Sequence, residues 1–328
     1  MSKFLTISPS PHVKGEESVQ KIMLWVILAM VPAMVWSFVV FGMGAIITTS
    51  VAILSCVFFE YAISRFILKT ENSVGDLSAF LTGMLLAFNV PSSLPIWMII
   101  IGALVAIGIG KLSFGGLGNN PFNPALVGRV FLLISFPVDM TSWPVNNNSG
   151  VDGVTGATPL GLVKEAISSG TPISQLTDQV PSNMDLFFGN IGGSLGEISA
   201  IALILGALFM LYKKVITWHI PVSILGTMFV FAGLLWTVDS EQFMNPMFHL
   251  LTGGAMLGAL YMATDMVTSP MTPKGQLIYG IGIGIITISI RVFGAYPEGI
   301  SFAILIMNAV TPLLNRYCKP KDFGRRAK

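Results

Sequence analysis

The chain has 328 residues, of which 53% are hydrophobic and 10% charged, with a net charge of +2 and a mean hydropathy of +0.76. Those values exclude an ordinary soluble domain and place the chain among integral membrane proteins. With so small a net charge, orientation rests on where the 18 basic residues lie, and no nucleic-acid partner is expected.

Residues 1–20 are polar, contain Pro9 and Pro11 and lack a small-residue cleavage pattern, so they are expected to form a retained cytoplasmic tail rather than a signal peptide. A span needs roughly 20 apolar residues, fewer where a helix is broken or buried among others. About ten segments qualify: 21–41, 44–68, 77–90, 94–110, 123–136, 198–212, 215–236, 247–264, 277–293 and 300–314. They predict an all-α polytopic membrane protein. Its expected parts are a first five-helix repeat over 21–136, an extracytoplasmic loop over 137–197, a second five-helix repeat over 198–317 and a basic cytoplasmic tail over 318–328.

With the N-terminus in the cytoplasm, Lys3, Lys14, Lys21, Arg65, Lys69, Lys111, Lys213, Lys214, Lys274 and the six basic residues from Arg316 onward fall on the cytoplasmic side. Lys164 alone falls in an external loop, and Arg129 and Arg291 lie within spans. That asymmetry sets the orientation. The halves also share irregularities. Leu81-Thr82-Gly83 matches Leu251-Thr252-Gly253, both lead to prolines at Pro91 and Pro270, and the Asn123-Pro124 region matches Asn308 to Pro312. Five spans per repeat give the halves opposite orientations, so two inverted repeats with broken helices are expected.

Within the first repeat, Gly115 to Pro124 is rich in glycine, amide and proline and opens the span that carries Arg129. Such a helix start can present free N–H groups to a polar ligand, or it can simply allow close packing and cap a buried break. Arg129 must be paired or hydrated to sit in a membrane, which makes it an anchor whose partner is not visible in sequence. Glu60, Asp76 and Asp265 are the acidic residues in or beside spans, and Asp265 ends a broken segment. Asn120, Asn123, Arg129 and Asp265 are therefore candidates for an ion or second ligand site. Cys56, Cys318, His219 and His249 show no metal-ligand spacing, so neither a disulfide nor a metal site is expected.

The long polar stretch between the repeats begins with Asn146, Asn147, Asn148, Ser149 and Gly150, and reads as a loop rather than a folded domain. It contains Asp152-Gly153-Val154-Thr155-Gly156-Ala157-Thr158, followed by Pro159. Small neighbours let a large partner approach the threonine hydroxyl closely. A bare Gly-Ala-Thr would be an ordinary turn. The full string resembles the flavinylation signature, at which a flavin transferase attaches FMN by a phosphoester to the last threonine. The resemblance implies covalent FMN on Thr158, with Asp152, Thr155, Gly156 and Ala157 completing the motif and Thr158 serving as an attachment point rather than a catalytic nucleophile.

Gly118-Asn119-Asn120-Pro121-Phe122-Asn123-Pro124-Ala125, Met262-Ala263-Thr264-Asp265 and Ala295-Tyr296-Pro297-Glu298-Gly299 extend the likeness over essentially the whole chain. It resembles the family of membrane proteins that includes the RnfD component of the Rnf complexes and the NqrB component of the sodium-pumping NADH:quinone reductase. The short N-terminal tail favours the Rnf side. The resemblance implies a membrane component of an ion-translocating ferredoxin:NAD⁺ oxidoreductase in the bacterial cytoplasmic (inner) membrane, working with the A, B, C, E and G components of Rnf. It also implies electron relay coupled to Na⁺ or H⁺ translocation, and noncovalent riboflavin besides FMN. The competing readings are the NqrB component of the quinone reductase and a non-redox, urea-like solute channel, which would have no use for an external flavin acceptor.

Overall fold

The computed structural model describes residues 18–69, 73–144, 155–169, 172–173, 180–189 and 192–319. Asp152 and most of both tails lie outside them. Helices occupy each of the ten expected membrane positions. In the first set α1 is Val19–Phe41, α2 Met43–Ala62, α3 Ser78–Phe88, α4 Ile96–Leu104 and α5 Pro124–Ser135. The short α6 (Pro137–Thr141) follows, then α7 (Pro159–Ser169) and α8 (Asn183–Phe188) between the sets. The second set has α9 (Ala200–Tyr212), α10 (His219–Val238), the broken pair α11 (Pro246–Leu251) and α12 (Ala255–Leu257), α13 (Pro273–Phe293) and α14 (Ile300–Tyr317). Single π-helical stretches continue α2 over Ile63–Leu68, α4 over Val105–Ile109 and α12 over Gly258–Met262.

Among the described residues, five helical stretches are long and apolar enough to cross a membrane: Val19–Phe41, Met43–Leu68, Ile96–Phe114, His219–Val238 and Pro273–Phe293. Apolar side chains such as Val39, Leu54, Phe58, Val230 and Leu234 stay exposed on them, as expected of a protein whose outer surface meets lipid. The helices α3, α5 and α9 are apolar but short. Local chemistry explains their starts. Asn123 caps α5 by accepting the N–H groups of Ala125 and Leu126, with Pro124 at the first helical position. Asp76 accepts the Ser78 N–H at 2.8 Å to start α3, and Ser199 caps α9.

The two sets pack alike. In each, the second helix packs against the third and fourth, α2 on α3 and α4, α10 on α11 and α13. Across the sets, the first helices meet as α1 and α9 and the fifth as α5 and α14, the pairing that a pseudo-two-fold axis produces. Small residues permit the close approaches. A Cβ on Gly83 would lie 2.6 Å from Ile53 Cα, and one on Gly206 would collide with the Ala29 carbonyl and the Tyr261 hydroxyl. That hydroxyl reaches the Ala29 carbonyl of α1 at 3.2 Å and the Leu203 carbonyl of α9 at 3.0 Å, tying the central helix pair together.

The segment between the sets departs from the expected plain loop. The strands β1 (Trp143–Pro144) and β2 (Thr155–Gly156) pair antiparallel. Beyond them, Leu160 and Val163 of α7 and Leu186 of α8 are buried against Ala200, Phe248 and Leu251. Apolar residues at helical spacing in 159–169 give α7 a face to bury, so this region docks on the second set.

Candidate functional site

The antiparallel pair seats Thr155 opposite Pro144 and Gly156 opposite Trp143, which fixes the chain entering Thr158. Pro159 is the first residue of α7, and Thr158 stands just before it as the cap. Its Oγ1 accepts the Gly161 N–H at 3.1 Å and its carbonyl accepts the Leu162 N–H at 3.0 Å. Thr158 is only 7% exposed. Farther along α7, Lys164 donates to the Arg291 and Val292 carbonyls at 2.9 and 3.3 Å, clamping α7 to the end of α13. Partial burial holds the Lys164 ammonium below the usual lysine range. The residues fit a phosphoryl group. The Oγ1 already acts as an acceptor, which an ester oxygen can still do, and the start of an 11-residue helix favours negative charge.

Asn120, Asn123 and Asp265 line one cavity of about 100 Å³ together with Ser78, Thr82 and Lys111. Asn123 Nδ2 donates to the Met262 carbonyl at 3.2 Å, and Asn120 Nδ2 donates to the Phe122 carbonyl at 3.0 Å. Asn120 Oδ1 is buried with no hydrogen-bond partner among the described residues. Asp265 turns its carboxylate on its own loop, accepting from Val267 N at 3.4 Å and the Thr268 hydroxyl at 3.0 Å. The charge of Lys111 is matched by Glu60 at 2.6 Å, both groups almost wholly buried. Ser73 binds the other Glu60 oxygen at 2.6 Å and Ser78 binds the ammonium at 2.5 Å. Glu60 is thus half of a closed ion pair.

Arg129 does not join that cavity. Its Nε donates to the Asn89 carbonyl at 3.3 Å, while its other nitrogens bind Ser301 and form an ion pair with Glu298. It therefore holds the carbonyl end of α3. Arg291 serves α11 in the same way, donating to the carbonyls of His249 at 2.5 Å, Thr252 at 2.8 Å and Gly253 at 2.9 Å. A guanidinium at a helix C-terminus meets both the free carbonyls and the negative end of the dipole. Sequence reasoning assigns no role to Glu298, although it lies in the Ala295 to Gly299 string; the Lys111–Glu60 pair bears no local signal.

The profile of the NQR2, RnfD, RnfE family matches residues 6–324. Over 324 residues the chain is 45% identical to the D component of the proton-translocating ferredoxin:NAD(+) oxidoreductase complex of Clostridium ljungdahlii, covering 98% of this chain and 96% of that one. It is 44% identical over 322 residues to the D component of the Na(+)-translocating ferredoxin:NAD(+) oxidoreductase complex of Acetobacterium woodii, covering 98% and 95%. Identity is 37% over 351 residues to the D component of the ion-translocating oxidoreductase complex of Cronobacter sakazakii, covering 98% and 99%.

Proposed function

The chain belongs to the NQR2, RnfD, RnfE family, and from that premise we propose that it is the D-type membrane component of an ion-translocating ferredoxin:NAD⁺ oxidoreductase, with FMN held covalently on Thr158. The observation that carries the flavin assignment is Thr158 itself, a hydroxyl at the start of α7 at the end of a Thr-Gly-Ala-Thr string. When bound, a flavin exchanges electrons singly or in pairs. This chain's part is to anchor it, orient it and set its electrostatic surroundings. The α7 N-terminus lowers the cost of phosphodiester charge there.

The full chain carries two cysteines, too few to hold an iron–sulfur cluster by itself. Electrons are accordingly handed on by other proteins of the complex, in our reading the A, B, C, E and G partners, after a flavin transferase has loaded Thr158. The cavity bounded by Asn120, Asn123 and Asp265, at about 100 Å³, is too small to enclose a whole flavin, so we assign it to one polar edge of a noncovalent flavin such as riboflavin, whose remainder would lie outside it. Amide groups can both accept and donate along the edge of its ring, and the unpartnered Asn120 Oδ1 supports that assignment. We place the protein in the bacterial inner membrane with both termini cytoplasmic and Thr158 on the opposite side, as the distribution of basic residues favours.

The deciding experiment is in-gel flavin fluorescence of the denatured chain, wild type beside Thr158→Ala, each produced with its transferase and partner proteins. Fluorescence should be present in the wild type and absent from the variant. A wild-type chain that stays dark in the presence of an active transferase would overturn the flavin assignment.

A further inference from the structure

The segment 192–199 crosses the gap between the two broken helices. Gly196 N–H donates to the Phe88 carbonyl at the end of α3 at 2.9 Å, and a Cβ on Gly196 would lie 2.6 Å from Phe88 Cβ. This lays Glu197 beside the break between α11 and α12. There Gly254, at φ 65°, leaves the space that the carboxylate occupies, since a Cβ on it would come within 2.7 Å of Glu197 Oε1. Glu197 is 9% exposed, and Oε1 has no hydrogen-bond partner among the described residues. Burial and then the charge of Glu298 disfavour the ionised form of Glu197, against Arg129, the neighbouring Ser194 hydroxyl and Arg291, although that hydroxyl makes no hydrogen bond of its own among the described residues. Arg129 is committed to Glu298, Ser301 and Asn89, and Arg291 spends its two terminal nitrogens on three carbonyls, while its Nε makes no hydrogen bond to Glu197 or to any other described residue. Among the described residues, the further titratable group facing Arg291 from α11 is His249.

We propose that Glu197 is a proton-binding site, its carboxyl carrying one proton in the folded protein while Glu298 remains the ionised partner of Arg129. A buried carboxylate whose oxygen lacks a donor is costly, and a neighbouring carboxylate adds repulsion. One proton relieves both. The proton comes from water, an O–H bond forms on Glu197, and the cluster of two arginines and two glutamates passes from neutral to a single positive charge. A metal cation is the poorer ligand here. It needs several oxygen donors, two guanidinium groups repel it, and no group of three His, Cys, Asp or Glu side chains arranged for a metal occurs among the described residues. The site does not depend on Thr158 being modified.

The test is pH-difference infrared spectroscopy of the intact, detergent-solubilised complex. Wild type should show the carbonyl stretch of a buried carboxylic acid that vanishes as pH rises, unchanged by added Na⁺, and Glu197→Gln should lack it. In Glu298→Gln the band should persist with its midpoint moved to lower pH, about tenfold weaker proton affinity, because the repelling charge is gone. The same band in Glu197→Gln, no such band at any pH, or displacement of the band by Na⁺ would overturn the proposal. If Glu197→Gln does not assemble, the Glu298→Gln midpoint decides, and an unmoved midpoint counts against it.

Discussion

Arg129 shows what a single side chain asks of the rest of the molecule. Its position in an apolar run announces that it needs a partner, yet that partner, Glu298, lies 169 positions away and becomes a neighbour only through the packing of α5 on α14. The same holds for Lys111 and Glu60, 51 positions apart, and for Asn120, Asn123 and Asp265, which share a cavity because both broken regions meet at the centre. Residue chemistry was legible in the sequence, and pairing was not, because pairing belongs to tertiary contacts. Replacing Arg129 by Leu strands Glu298 and should cost about 3–5 kcal/mol, while the double replacement of Arg129 and Glu298 by Leu should recover most of that loss. Thermal unfolding of the purified complex reads both outcomes.

At the scale of elements, the ten hydrophobic runs foretold the helices of both sets because period and length are local properties. Helix α7 carries Leu160, Val163 and Ile167 at helical spacing, but Ser and Gly on either side give the whole stretch the composition of a loop. Its docking has consequences. Thr158 is buried while α7 is packed, so the modification proposed for it would require α7 to lift from Phe248 and Leu251. Val163→Ala should make that opening easier, and each 1.4 kcal/mol of weakened docking should raise the open population, and the rate of flavin attachment, about tenfold. The readout is a time course of in-gel fluorescence with purified transferase. Helix contacts give a second expectation. Gly206→Ala forces α1 and α9 apart and should destabilise by about 1–3 kcal/mol, whereas Gly226→Ala, with nothing within 4 Å of the new Cβ, should be tolerated. Denaturation midpoints of the two variants separate them.

For the whole molecule, orientation can be read with the chain's own thiols. Cys56 is fully buried and Cys318 partly accessible at the end of α14, while Met184 on α8 is 69% exposed. A membrane-impermeant maleimide should label Met184→Cys on intact cells and spare Cys318, and inverted vesicles should reverse the pattern; the opposite result would invert the proposed topology. The broken helices also shape the membrane as an electrical insulator. With 11 residues, α3 is about 16 Å long, roughly half of a hydrocarbon layer about 30 Å thick. The cavity of about 100 Å³ reaches Asn123 at the start of α5, and a pocket of about 20 Å³ reaches Arg129 from beyond its end. Between them stand Met262, bound by Asn123, and Asn89, bound by Arg129 and joined to Met262 at 3.6 Å. Water reaching Asn123 from one side and Arg129 from the other would leave the membrane voltage to fall across that partition alone. A charge stepping across it would work against nearly the full potential, about 2.3 kcal/mol per 100 mV, within the width of two side chains.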